Sequence, residues 1–234
     1  CWRDEKQAIN MCGTGSVTLV GQEGDDKSRV ISTAAHNFFD ESCEPRNGQK
    51  AGYKFDKKWW EGVNITFIED GIVQRYKIDQ GITHTKCPYK EPYKDVAFLR
   101  LEKVVKYRGE HVKPMVAKEL SRDTFWLVKT LKNLMIVSWG DKRSREKKVG
   151  SWDTYKKRFK TENISFGRFI VREGYTQFSH KGDTTPSGSG AGMFDPGTFR
   201  VFGVHTGSQS NKNFNIGVGF NMKMLQDIKK LMSP

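Results

Sequence analysis

The stretch Thr184-Thr185-Pro186-Ser187-Gly188-Ser189-Gly190-Ala191-Gly192-Met193-Phe194 decides how the rest of the chain is read. A serine between glycines, with an apolar strand start behind it, is what a hydroxyl nucleophile on a tight turn requires. Glycines let the backbone fold back and present its N–H groups to a reacting carbonyl. Ser/Gly clusters also make plain loops. The stretch therefore gains meaning only from a base and an orienting acid elsewhere in the chain.

Two residues upstream supply those roles. Thr33-Ala34-Ala35-His36 closes a β-branched strand, and its small residues leave room for one fixed orientation of the imidazole ring. Asp95 heads the apolar strand Val96-Ala97-Phe98-Leu99-Arg100-Leu101 after a loop with two prolines. Serine oxygen is a poor nucleophile until a base removes its proton. His36 can do so near neutral pH, and Asp95 would fix the tautomer and stabilise the imidazolium. Taken singly, these are a strand-end histidine, an aspartate after a loop and a turn serine. Their order and contexts together outweigh those plain readings.

The chain between and around them reads as strands. Gly13–Val20 and Arg29–Thr33 form a first pair, and Val63–Ile68 and Ile72–Ile78 a hairpin around Glu69-Asp70-Gly71. Residues 107–124 suit a connector. Strands are then expected at Phe125–Val128, Leu134–Trp139, Arg168–Arg172, Arg200–His205 and Phe214–Phe220. The end differs: Met224, Leu225, Ile228, Leu231 and Met232 recur at helical spacing after a capping Asn221, with Lys229 and Lys230 in the last turn. The fold class is all-β, closed by one C-terminal helix. Trp59-Trp60 is expected in the core, and His84, His111 and His180 as surface or packing residues.

Composition sets outer bounds. The 234 residues carry a formal net charge of +13, densest from Lys142 to Lys160, a block read as a solvated loop. No run of about 18 apolar residues exists to span a membrane. Cys1, Cys12, Cys43 and Cys87 lack a CxxC pair, so no metal site is expected; they suit two disulfides in an oxidising compartment, or four thiols. Asn64-Ile65-Thr66 and Asn163-Ile164-Ser165 fit the glycosylation pattern. The Cys1 start suggests a processed chain.

The motifs converge on one family. Thr33–His36, Asp95–Leu101 and the Ser189 turn together resemble a chymotrypsin-like (trypsin-fold) serine protease. The Thr184–Phe194 run, then Val201-Phe202-Gly203-Val204-His205-Thr206-Gly207-Ser208, Gly217-Val218-Gly219 and the terminal helix resemble the glutamyl endopeptidases and exfoliative toxins. Arterivirus-type main proteases share the Gly-Val-His-Thr-Gly-Ser element. The resemblance implies two antiparallel six-stranded β-barrels with the cleft between them. An arm over 1–12, a first barrel over 13–116 holding His36 and Asp95, a second over 117–220 holding Ser189, and a helix over 221–234 are the expected divisions.

By that resemblance His36, Asp95 and Ser189 are the catalytic residues, and the N–H groups around Ser187, Gly188 and Ser189 form the oxyanion hole. Ser189 is preferred to Ser187 because Gly190, a small residue, Gly192 and Met193-Phe194 follow it as the family's run does. One departure stands out: Ser187 occupies the position of the family's glycine. Loss of one oxyanion donor typically costs ~100- to 1,000-fold in rate. Gly188 also removes the aspartate that pairs with a freed N-terminus in trypsin-like zymogens.

The specificity pocket has two readings. Thr184, five places before Ser189, and His205, sixteen after, match the Thr/His pair that binds an acidic side chain in glutamyl endopeptidases, with Ser208 as a third donor. Asp183, six before, stands where trypsin-like enzymes bind Lys or Arg. A histidine at the pocket base disfavours a cation, so Glu, or Gln, is expected before the cut. The implied protein is a secreted or extracytoplasmic monomeric endopeptidase acting on protein or peptide substrates. It needs no cofactor or metal, and no nucleic acid partner is expected. Two other readings remain: a protease-fold binding protein with weak catalysis, acting on an acidic partner or nucleic acid, and a viral polyprotein-processing protease.

Overall fold

The computed structural model describes residues 2–4, 9–11, 15–69, 72–121, 135–136, 166–180, 188–195, 197–208 and 214–233. Its strands are β1 (Trp2–Asp4), β2 (Ile9–Met11), β3 (Thr18–Gly21), β4 (Val30–Thr33), β5 (Lys54–Phe55), β6 (Asn64–Glu69), β7 (Ile72–Thr83), β8 (Ala97–Leu101), β9 (Lys106–Tyr107), β10 (Glu110–His111), β11 (Met115–Ala117), β12 (Met135–Ile136), β13 (Phe166–Arg172), β14 (Tyr175–His180), β15 (Gly192–Asp195), β16 (Arg200–Ser208) and β17 (Asn215–Gly219). One helix, α1 (Met222–Met232), ends the chain. The chain is all-β with this C-terminal helix, as its periodicities imply.

Strands β3, β4, β8, β7, β5 and β6 form the first antiparallel unit; β12, β15, β16, β17, β14 and β13 form the second. Between them β11 runs parallel to both, pairing Val116 with Gly21 on β3 and Ala117 with Val201 on β16. The stretch expected as a plain connector thus contains the strand that joins the units.

Alternation along β3, β4 and β8 explains why adjacent apolar residues occur within each strand. Leu19, Ile31 and Leu99 enter a core with Trp59, Trp60 and Ile78. Their neighbours Val20, Val30 and Phe98 enter a second core with Val201, Val204, Val218 and Phe220. Successive side chains point to opposite faces of a strand. A strand buried on both faces therefore reads as an unbroken apolar run. Gly81 is required on β7 because a Cβ there would collide with the Trp60 ring.

Helix α1 completes the second core. Met224, Ile228 and Leu231 are buried in it, three residues on one helical face. The Asn221 side chain accepts the Met224 N–H at 2.9 Å and caps the helix start. No described helix is long and apolar enough to cross a membrane.

Some expectations shift. Of the strand expected over Gly13–Val20, the described part is β3, which begins at Thr18. Phe125–Val128 lies outside the described residues, as does most of Leu134–Trp139, of which Met135–Ile136 is a strand. Strand β14 has no counterpart in the sequence reading. Its hairpin with β13 turns at Glu173-Gly174, with φ of 50° and 74°, the left-handed pair a two-residue hairpin needs.

Candidate active site

The pairing of β4 with β8 sets Thr33 opposite Ala97. Residues just beyond Thr33 and just before Ala97 therefore emerge at one edge of the sheet. His36 lies there in a 3-10 turn, Ala35–Phe38, whose neighbours Ala34 and Ala35 are fully buried. Asp95 follows another 3-10 turn, Pro92–Lys94.

Asp95 grips His36 with both oxygens. Oδ2 lies 2.6 Å from the ring Nδ1, and Oδ1 accepts the His36 backbone N–H at 2.8 Å. The carboxylate is buried and the ring partly so. A carboxylate on Nδ1 favours the tautomer that carries its proton there, leaving Nε2 as the free base. Burial opposes the imidazolium, but the charge and hydrogen bond of Asp95 outweigh it. The His36 pKa is raised above its ordinary value, with Arg46 opposing the rise.

Loops on either side brace this pair. Cys43, seven residues after His36, is disulfide-bonded to Cys87, eight before Asp95. Lys94 pairs with Glu91 at 2.7 Å and with Glu173 of the β13–β14 hairpin at 2.8 Å. Tyr93 donates to Glu173 at 3.0 Å. The Asp95 approach is thus tied to the second β unit. Tyr89, on the same loop and exposed, has its ring 6.2 Å from that of His36.

Ser189 sits on a turn in which the Ala191 N–H donates to the Gly188 carbonyl at 2.9 Å. Gly190 has φ +95°, and a Cβ there would collide with the Ser16 carbonyl and Thr33 Oγ1. The glycine is therefore demanded twice, by conformation and by the approach of the first unit. Strand β16 fixes the turn from behind: the Gly190 N–H donates to the His205 carbonyl at 2.7 Å, and the His205 N–H to the Ala191 carbonyl at 2.8 Å. From the first unit, the Ser16 N–H and Asn37 Nδ2 both donate to the Ser189 carbonyl, at 2.8 and 3.1 Å.

His205 is buried on β16 with its Nδ1 3.2 Å from Nε2 of His180 on β14. The two rings meet across β17, where Gly217 lies opposite both Phe178 and His205. A Cβ on Gly217 would strike the Phe178 ring. Burial, then the neighbouring His205, lowers the His180 pKa to about 3. Burial, then the charge of His36, lowers that of His205 to about 4. Both rings are neutral at physiological pH. Ser208 is exposed at the far end of β16. Asp183, Thr184 and Ser187 lie outside the described residues.

His36 and Asp95 are thus joined directly, and the Ser189 turn is fastened to the turn that carries His36. Sequence reasoning did not find Asn37 or the His180–His205 pair; the Gly217-Val218-Gly219 alternation was the available sign that larger rings would cross that strand. Of the other histidines, His84 is also buried, with Nδ1 3.1 Å from the Tyr175 hydroxyl and Nε2 3.3 Å from an Asp227 oxygen. His111 is exposed.

No protein-family model matches the chain, and no curated protein matches it in sequence. Solved structures do. A Glu endopeptidase solved in complex with MPD superposes with a TM-score of 0.51 at 12% identity, over 96% of this chain and 93% of that one. The chain therefore has the fold of the chymotrypsin-like proteases, with two β units and a C-terminal helix.

Proposed function

We propose that the protein is a serine endopeptidase working through an acyl-enzyme. One observation carries the reading: Asp95 fixes His36 through both ring and backbone at the edge to which the Ser189 turn is fastened. In this reading Ser189 Oγ attacks the scissile carbonyl while His36 Nε2 takes its proton. The imidazolium is stabilised by Asp95 and then protonates the leaving amine. The N–H groups of Ser189 and Ser187, flanking Gly188, receive the negative oxygen. Water, deprotonated by His36, releases the acyl group.

Glu or Gln before the cut fits best. The neutral, buried His205 can donate an N–H to a carboxylate or an amide oxygen, with Thr184 and Ser208 as further donors. Asp183 is the basis of the competing preference for Lys or Arg. The Cys43–Cys87 bridge supports an oxidising, extracytoplasmic location. In this reading the barrels span 13–116 and 117–220, with the cleft between His36 and Ser189. That His36, Asp95 and Ser189 all come from one chain supports action as a monomer on protein or peptide substrates.

Cleavage-site profiling on a random peptide mixture tests activity and pocket together. Cuts after Glu or Gln that vanish in Ser189→Ala are expected. Cuts after Lys or Arg would shift the pocket to Asp183. A mixture left intact would favour the second reading, a protease-fold binding protein, for which Ser187 in the family's glycine position is the motivating feature.

A further inference from the structure

Asn37 follows His36 within the same 3-10 turn. Its amide nitrogen carries two N–H groups, and both are directed. Nδ2 lies 3.1 Å from the Ser189 carbonyl oxygen and 3.1 Å from Thr33 Oγ1. Thr33 Oγ1 donates onward to the Ser16 carbonyl at 2.7 Å. The Ser16 N–H returns to the Ser189 carbonyl at 2.8 Å. The bonds close a ring: Ser189 carbonyl, Asn37, Thr33, Ser16 and back to Ser189.

The ring fits an asparagine amide closely. A Cβ at Gly15 would collide with Cγ, Oδ1 and Nδ2 of Asn37, so the backbone at Gly15 packs closely against the amide. Aspartate would have the shape without the donors, and glutamine would add a methylene where space is closed.

We propose that Asn37 is a positioning residue that sets the Ser189 turn against the His36 ring. This rests on the protease reading above. The amide spans from the turn bearing the base to the carbonyl of the nucleophile's own residue. It thereby fixes the plane of the Ser189–Gly190 peptide and the distance between the turns. Small misplacements of reacting groups, on the order of 1 Å, cost roughly 100-fold in rate. Thr33 holds the amide from behind, and the Ser16 carbonyl in turn holds Thr33.

The test is the rate of phosphonylation by a fluorophosphonate probe across pH, with kcat and KM on a peptide that the wild type cleaves. Asn37→Ala is expected to lower both the labelling rate and kcat by ~10- to 100-fold, leaving KM within about twofold. The pH midpoint should stay in place, since Asn37 does not touch the ring. Thr33→Val, which removes the supporting hydroxyl, should give the same signature more weakly, and it stands in if Asn37→Ala does not fold. Labelling of either folded variant at the wild-type rate, or a loss confined to KM, overturns the inference and leaves the protease reading intact. A wild-type protein that is not labelled at Ser189 overturns both.

Discussion

Asp95 binds His36 twice, Oδ2 on the ring Nδ1 at 2.6 Å and Oδ1 on the backbone N–H at 2.8 Å. The second bond fixes the carboxylate while the first fixes the ring, so neither group can turn without breaking a contact. Asp95→Asn offers an N–H where Nδ1 now meets an oxygen, which favours the wrong tautomer. A fall in kcat of about 10,000-fold is expected, with binding little changed. Steady-state kinetics on the profiled peptide measure it. A loss below about tenfold would remove Asp95 from its role.

The pH profile should report the raised His36 pKa. Activity requires neutral His36, so the acidic limb should have its midpoint above the ordinary histidine value of 6.5. Arg46→Ala removes a cation that opposes the imidazolium and should move the limb to higher pH. The same shift has a stability consequence. The Asp95–His36 interaction contributes fully below pH 6.5 and is lost as pH rises through the raised folded value. Imidazole NMR titration separates the His36 signal from the others.

The His180–His205 pair acts in the opposite direction. Both pKa values are depressed, to about 3 and about 4 from 6.5. Below pH 6.5 the unfolded chain binds protons that the folded chain refuses. Stability should fall as pH drops from about 6.5 toward 4, by up to about 1.4 kcal/mol per pH unit for each histidine. Urea unfolding at a series of pH values measures the slope, and His180→Phe should flatten it. A slope unchanged by His180→Phe would contradict the assignment.

The Cys43–Cys87 bridge closes a loop with a sequence separation of 44 that contains neither His36 nor Asp95 but abuts both. The chain-entropy argument gives ~4 kcal/mol for a loop of that size. The Cys43→Ser/Cys87→Ser double variant should lose about 2–4 kcal/mol in denaturant unfolding. It should also lose rate, because the loops on both sides of the pair are released together. Full activity with unchanged stability would contradict the bracing role.

The elements legible in the sequence are those with a strong local period or punctuation. Strand β4 is largely β-branched and β8 mostly apolar, strands β6 and β7 pair antiparallel as their sequence suggested, and α1 shows a helical stripe with its cap. The His36–Asp95 contact was legible because both lie at the ends of such strands. What was hidden depends on long-range register. Asn37 reads as an ordinary polar residue until Ser189 arrives from 152 residues away. His180 gains its partner only because β17 places Gly217 between β14 and β16. Strand β11 is short, and it is defined by parallel partners that no local pattern announces.

Mass spectrometry of the protein after reaction with a fluorophosphonate tests the central claim most directly. A single adduct on the peptide containing Ser189 is predicted, absent in Ser189→Ala and strongly slowed in His36→Ala. An adduct that survives Ser189→Ala and disappears in Ser187→Ala, or no adduct on the wild-type protein, would contradict it.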